Sequence, residues 1–155
     1  MGRQGLRNMI DPSNVPPVAD NELLARFIVN GNELRPDGNV TPLLFLPYKR
    51  VALSVNRHRE ATSDETWAIA RRVSVERRKT LYGCADIRAS SCRIGPLDVV
   101  PNPILPGNQN HADIVGFPPP PRKDEQLSLA QKLAASVEGK WKAPPPFDDS
   151  AHNET

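Results

Sequence analysis

Seventeen of the 155 residues are proline, and they cluster at positions 12–17, 101–106, 118–121 and 144–146. Proline fixes φ and has no backbone N–H, so none of these clusters can lie inside a helix or a central strand. Regular structure is therefore confined to the stretches between them. The division is an N-terminal arm over residues 1–19, one folded region over 20–138 and a proline-rich, acidic tail over 139–155. The middle region has roughly 110–120 residues, enough for one self-sufficient core but not for two. Both ends are expected to be flexible.

Within that region the patterns are short and mixed. Asp20 or Asn21 can cap a helix with Glu22 in its first turn, and Leu23, Leu24, Phe27 and Ile28 follow at helical spacing. Asn30-Gly31-Asn32 stops it, and Pro36-Asp37-Gly38-Asn39 is a turn. Leu43-Leu44-Phe45-Leu46 is buried but of undecided type. Residues 50–57 alternate moderately and are rich in β-formers, which predicts a strand. A helix is predicted next, because Thr62 and Glu65 stand in the spacing of a capping box. Its expected apolar face is Trp67, Ile69, Ala70, Val73 and Val75. A second strand is expected over residues 84–90. A third, from Cys92-Arg93-Ile94 to Leu97–Val100, is broken by Gly95-Pro96. A last strand runs over 112–117, after a loop at 102–110. Residues 118–121 should be extended, as polyproline II. Asp124-Glu125 open a final helix with Leu127, Ala130, Leu133, Ala134 and Val137 on one face, ended by Gly139. The sum is a small α+β domain: a short mixed or antiparallel sheet with two or three helices.

Charge excludes little. The net charge is +2, which demands neither a nucleic acid nor a membrane surface. No apolar run approaches the ~18 residues of a membrane span. The first residues have no apolar h-region, so a secretory signal is not expected, and no myristoylation pattern follows Met1-Gly2. Cys84 and Cys92 have no CxxC partner or nearby histidine, which argues against a zinc site. They read as reduced thiols of a cytoplasmic protein, Cys84 as a small buried hydrophobe. The motifs GxSxG, GxGxxG and HExxH are absent. Asp86, Asp98 and Asp113 fall on different predicted strands and lack a short-range ligand pair with His111. No metal or other cofactor is therefore assigned.

One resemblance is carried by Leu-Leu-Ala-Arg-Phe-Ile from Leu23, Leu-Ser-Val-Asn-Arg from Leu53, Ala-Asp-Ile-Arg-Ala-Ser from Ala85 and His-Ala-Asp-Ile-Val-Gly-Phe-Pro from His111, with a terminal Ser-Leu-Ala-Gln-Lys-Leu-Ala from Ser128. The chain resembles a group of short bacterial proteins that share a His-Ala-x-Ile-x-Gly-aromatic-Pro motif. The resemblance spans Asn21 to Ala135. It implies a bacterial, cytoplasmic, stand-alone domain and brings no catalytic assignment.

The residues themselves offer three functions. If the strand ending at Arg57 and the one beginning near His111 are antiparallel neighbours, Arg57, His58 and His111 share one sheet edge. Histidine beside arginine suits anion binding, or proton transfer beside a phosphate or carboxylate. For His111 the competing role is structural, its imidazole bonding a loop carbonyl. The second feature is the basic polar side of the predicted helix, Arg71, Arg72, Arg77, Arg78 and Lys79, with Arg26 as a further anion contact. A solvated face with cations near the helix C-terminus explains it equally well. The leading expectation is a small binding or accessory protein that acts through a protein partner rather than an enzyme. The alternatives are an enzyme or ligand-binding domain for a phosphorylated or nucleotide-like substrate, using Arg57, His58 and His111, and a weak nucleic-acid binder using the basic helix.

Overall fold

The computed structural model describes residues 15–146. Five strands make one sheet: β1 (Leu23–Ile28), β2 (Ala52–Arg57), β3 (Gly83–Arg88), β4 (Asp98–Pro101) and β5 (His111–Val115). Their order is β3-β1-β2-β5-β4, and every neighbouring pair is antiparallel. Among the described residues there are three helices: α1 (Ser63–Glu76), the single turn α2 (Ala89–Cys92) and α3 (Lys123–Ala135). Short 3-10 turns at Gly31–Glu33 and Pro42–Phe45 fill the β1–β2 connection. This is the expected small α+β domain, and its sheet is antiparallel throughout.

The predicted first helix is instead β1, which pairs with β3 over its whole length and with β2 at one end. Leu24 and Ile28 are buried on one face and Ala25 on the other. A central strand covered on both faces loses the apolar–polar alternation that marks a strand, and six residues are too few to hold a helix without tertiary support. The Cys92-Arg93-Ile94 segment is likewise no strand: Cys92 closes α2, and the chain re-enters the sheet at Asp98. Of the four consecutive prolines, Pro120 and Pro121 form a turn rather than continuing extended.

The main core lies on one face of the sheet. Leu24, Leu53, Val55, Ile87 and Ile114 meet Leu44 and Phe45 of the second 3-10 turn and Leu129 and Leu133 of α3. Helix α3 buries Gln126, Leu129, Ala130 and Leu133, whereas Leu127, expected inside, is exposed. Ala130, Leu133, Ala134 and Val137 pack inward as expected, and in the first turn Gln126 is inside instead of Leu127, donating its amide to the Pro118 carbonyl at 2.7 Å. As the chain leaves β5, Gly116 takes φ +96°, and a Cβ there would stand 2.3 Å from the Pro96 carbonyl oxygen. Only glycine satisfies both conditions.

Helix α1 lies on the opposite face. Its capping box is formed as predicted: Glu65 N–H donates to Thr62 Oγ1 at 3.1 Å, and Thr62 N–H donates to Glu65 Oε1 at 3.2 Å. Its buried face is Thr66, Ala70 and Ser74, not the larger residues expected, and Val75 is 74% exposed. Ala25 and Cys84 are buried on this side and lie outside the main cluster, as does Ala70. Trp67, Ile69 and Val73 are left half-buried at the flanks.

Both sheet edges are closed. Along β3, Cys84 exchanges backbone hydrogen bonds with Lys142, and Glu138 N–H donates to Asp86 O at 2.8 Å. Residues 139–146, the described part of the expected tail, thus form a strap over this edge. Along β4, Val99 N–H donates to the Asp98 carboxylate at 2.7 Å and Val99 O accepts from Arg93 at 3.1 Å. Pro101 has no N–H to offer. These devices remove the unpaired backbone groups through which a sheet edge recruits another strand. The arm over residues 1–14 and the tail over residues 147–155 lie outside the described residues.

Candidate functional site

The sheet face that carries α1 has a histidine and an aspartate near each end. At the β3 end, His58 Nε2 lies 2.8 Å from Asp86 Oδ1, and Lys142 Nζ donates to Asp86 Oδ2 at 3.1 Å. Burial raises the Asp86 carboxyl, but the His58 hydrogen bond, aided by Lys142, holds it below its ordinary value. Beside it the Cys84 thiol is pushed well up by burial and then by the Asp86 carboxylate. Burial raises Cys92 to about 12. Both cysteines are free and buried. A protonated thiol is a poor nucleophile, so this end is a satisfied packing unit.

The other end is open. Strands β1 and β2 pair only at Leu24↔Arg57 and Ala25↔Asn56 and then part. Arg26 fills the split: Nε donates to Leu44 O at 2.9 Å and Nη1 to Ser54 O at 2.8 Å. From this split a cleft of about 770 Å³ runs across β2 to β5, with the last turn of α1 on one wall. That volume lies within the range of small-molecule sites, roughly 300–1,000 Å³. The far wall is the 102–110 loop. It is fastened to β2 by two reciprocal amide bonds between Asn56 and Asn108, at 3.1 and 2.9 Å. Arg72 holds the same loop through Gly107 O at 3.2 Å.

On the cleft floor, His111 Nδ1 is 2.8 Å from the Asn102 carbonyl oxygen. A carbonyl only accepts, so Nδ1 carries the proton, and Nε2 is left facing the cleft as the acceptor of that tautomer. Asn102 also donates its amide to Asp113 Oδ2 at 2.7 Å. Asp113 Oδ1 remains, 3.9 Å from His111 Nε2. Lys49, Arg50 and Arg77 also line the cleft, and no side-chain hydrogen bond or ion pair engages them among the described residues. Its carboxylates are Glu33, Glu76 and Asp113. Glu33 is occupied by the N–H groups of Val29 and Asn30 and by the Asn30 amide. Desolvation brings the Arg26 guanidinium down to about 10 against the pull of Glu33, and the Arg77 cation pushes the same way.

The predicted site residues separate. β2 and β5 are antiparallel neighbours, and Arg57 N–H donates to Asn110 O at 2.7 Å, so the chain segments meet as expected. The side chains do not. Arg57 is on the core face and 1% exposed, with Nε and Nη2 on the two Glu22 oxygens at 2.8 and 2.7 Å and further bonds to Pro16 O and Pro17 O. Burial raises the Glu22 carboxyl, yet the hydrogen bonds from Arg57 and from Ala19 N–H hold it low. His58 turns to Asp86, and only His111 reaches the cleft. Strand alternation separates Arg57 from its neighbours: one residue along a strand changes the face.

The basic helix also acts within the molecule. Arg71 donates to Pro145 O, Arg72 to Gly107 O and Lys79 to Asn30 Oδ1, and Arg78 takes the left-handed conformation just past the helix end, at φ 55°. Asp86, Asp98 and Asp113 lie on three strands, and among the described residues no group of three potential metal ligands converges. No helix among them is long and apolar enough to cross a membrane.

Sequence reasoning overlooked Lys49, Arg50, Asn102 and the Asn56–Asn108 pair, and it had Arg77 only as one cation of the basic helix. One signal was there to read. Ser54 and Asn56 alternate with Leu53 and Val55, and His111 and Asp113 alternate with Ala112 and Ile114. Two strands with polar residues at every second position mark one polar sheet face. Comparisons with protein-family models, curated proteins and solved structures find no match for the chain.

Proposed function

We propose that the chain is a small ligand-binding protein that takes an anionic, ring-bearing molecule of the phosphorylated or nucleotide-like kind in the cleft between α1, β2, β5 and the 102–110 loop. The observation that carries this reading is the set of cleft cations Lys49, Arg50 and Arg77, which no side-chain contact engages among the described residues. The cleft's free carboxylates are fewer, Glu76 and the half-engaged Asp113. An anion placed there gains charge-assisted hydrogen bonds and relieves the mutual repulsion of Arg26 and Arg77. Phe27, Tyr48 and Ile104 supply apolar lining for a ring. The site differs from the one expected: of the three residues first considered, His111 alone belongs to it.

Exposed apolar side chains favour a second, compatible reading as an accessory protein that works through a protein partner. Tyr48 and Ile104 line the cleft and are 53% and 51% exposed, and Val51 and Leu105, their sequence neighbours or nearly so, are 48% and 43% exposed. Within this proposal the setting is a bacterial cytoplasm, which two buried free thiols suit.

The test is thermal denaturation of the parent, Arg77→Ala and Arg71→Ala with millimolar phosphate monoesters. Binding to the native state raises the melting temperature by mass action. The reading requires a rise in the parent and in Arg71→Ala that is lost in Arg77→Ala. A rise of equal size in all three, or none in the parent, overturns it.

A further inference from the structure

The anion-binding reading leaves two cleft groups unexplained. In the Nδ1–H tautomer His111 Nε2 is an acceptor like Asp113 Oδ1; the two stand 3.9 Å apart and receive no hydrogen bond among the described residues. Each is held in place from behind by the same residue: Asn102 fixes His111 through its carbonyl and Asp113 through its amide. His111 and Asp113 are only 12% and 19% exposed, so water reaches them mainly from the cleft. Two acceptors at this spacing can both reach a single nitrogen that lies about 2.9 Å from each, the ordinary N–H···O distance. A hydroxyl has one hydrogen and satisfies only one of them. An amine has two.

We propose that His111 and Asp113 form the amine-recognition end of the cleft, so that the ligand is a phosphate ester whose ring carries an exocyclic amine. This rests on the anion-binding reading: the cations take the phosphate, the apolar lining takes the ring, and the acceptor pair takes the –NH2. The pair selects by the cost of leaving a desolvated acceptor unsatisfied when the amine is missing. Asn102 acts as a positioning residue, because it orients both acceptors and faces the ligand with neither of its own engaged groups.

Calorimetric titration of the full chain with three probes tests this: inorganic phosphate, adenosine 5′-monophosphate, and purine riboside 5′-monophosphate, which has hydrogen in place of the amine. The amine nucleotide is expected to bind about tenfold or more tightly than its deaminated counterpart. Asp113→Asn should reduce that ratio to about threefold or less and leave phosphate affinity unchanged. The comparison in the parent protein needs no variant, so a folding defect in Asp113→Asn, read by circular dichroism, does not remove the test. Equal affinity for the two nucleotides, with both weakened by Arg77→Ala, overturns the amine site and leaves the anion reading standing. A preference that survives in folded Asp113→Asn overturns the assignment to this pair. Failure of all three probes to bind overturns both.

Discussion

The two histidine–aspartate pairs on one sheet face have opposite fates. His58 and Asp86 touch at 2.8 Å, take a second bond from Lys142 and lie beside a strap of chain that closes the β3 edge. His111 and Asp113 stay 3.9 Å apart, are steadied by Asn102 and line an open cleft. Similar residues therefore do different work according to what covers them. Where α1 and the strap close over the sheet, polar groups satisfy one another and hold the fold together. Where β1 and β2 part and α1 forms only one wall, they keep free hydrogen-bonding capacity. In an unfamiliar structure, the engaged pair is evidence of construction and the spaced pair is the place to look for a ligand.

The largest effect expected of a test of this contrast comes from the buried ion pair. Arg57→Ala strands Glu22 and frees the Pro16 and Pro17 carbonyls, which should cost about 3–5 kcal/mol in urea-unfolding stability. If Arg57→Ala proves as mild as Arg77→Ala, the distinction between engaged and free cations collapses. Next is the strap. A Cβ on Gly83 would stand 2.3 Å from Lys142 O, so Gly83→Ala must displace residues 139–146. We expect a loss of about 1–3 kcal/mol and faster proteolysis near Lys142. An unchanged cleavage rate would mean that the strap does not close this edge in solution.

Asp86→Asn is expected to cost about 1–2 kcal/mol at neutral pH. The folded pKa of Asp86 lies below its ordinary 3.8, so the contribution of its charge is complete above that value and is lost as pH falls through the folded one. The stability gap between parent and Asp86→Asn should therefore hold steady from pH 6 to 5 and close below pH 3.8. A gap that persists at pH 2 would show that the amide substitution acts through shape and not charge. At the open end, His111→Ala removes one hydrogen bond to a backbone carbonyl and should cost about 1 kcal/mol. The smallest effect is that of Arg77→Ala, within about 0.5 kcal/mol in stability while anion-induced stabilisation disappears.

Much of the scaffold could be read from local chemistry. The Thr62–Glu65 capping box placed the start of α1, the β-formers of residues 50–57 placed β2, and the proline clusters fell in connections or, at Pro101, at the end of an edge strand. These signals act within a few residues of chain, so sequence alone determined them. The helical reading of residues 20–29 failed because spacing cannot report that a segment is flanked by strands on both sides. The expected face of α3 held except at Leu127, but that of α1 failed for a similar reason: Thr66 and Ser74 are inside and Val75 outside, which is set by partners distant in the chain.

The site divides along the same line. Sequence supplied His111 and carried the alternation that puts Ser54, Asn56, His111 and Asp113 on one face, while the pairing of the His111 strand with β2 entered only as a condition that the structure met. Only the tertiary structure decided that Arg57 is sealed against Glu22, that His58 belongs to Asp86, and that Lys49, Arg50 and Arg77 gather around an open cleft. Hydrogen-bond partners and charge neighbours are set by contacts between residues tens of positions apart, and such contacts exist only after the sheet has formed.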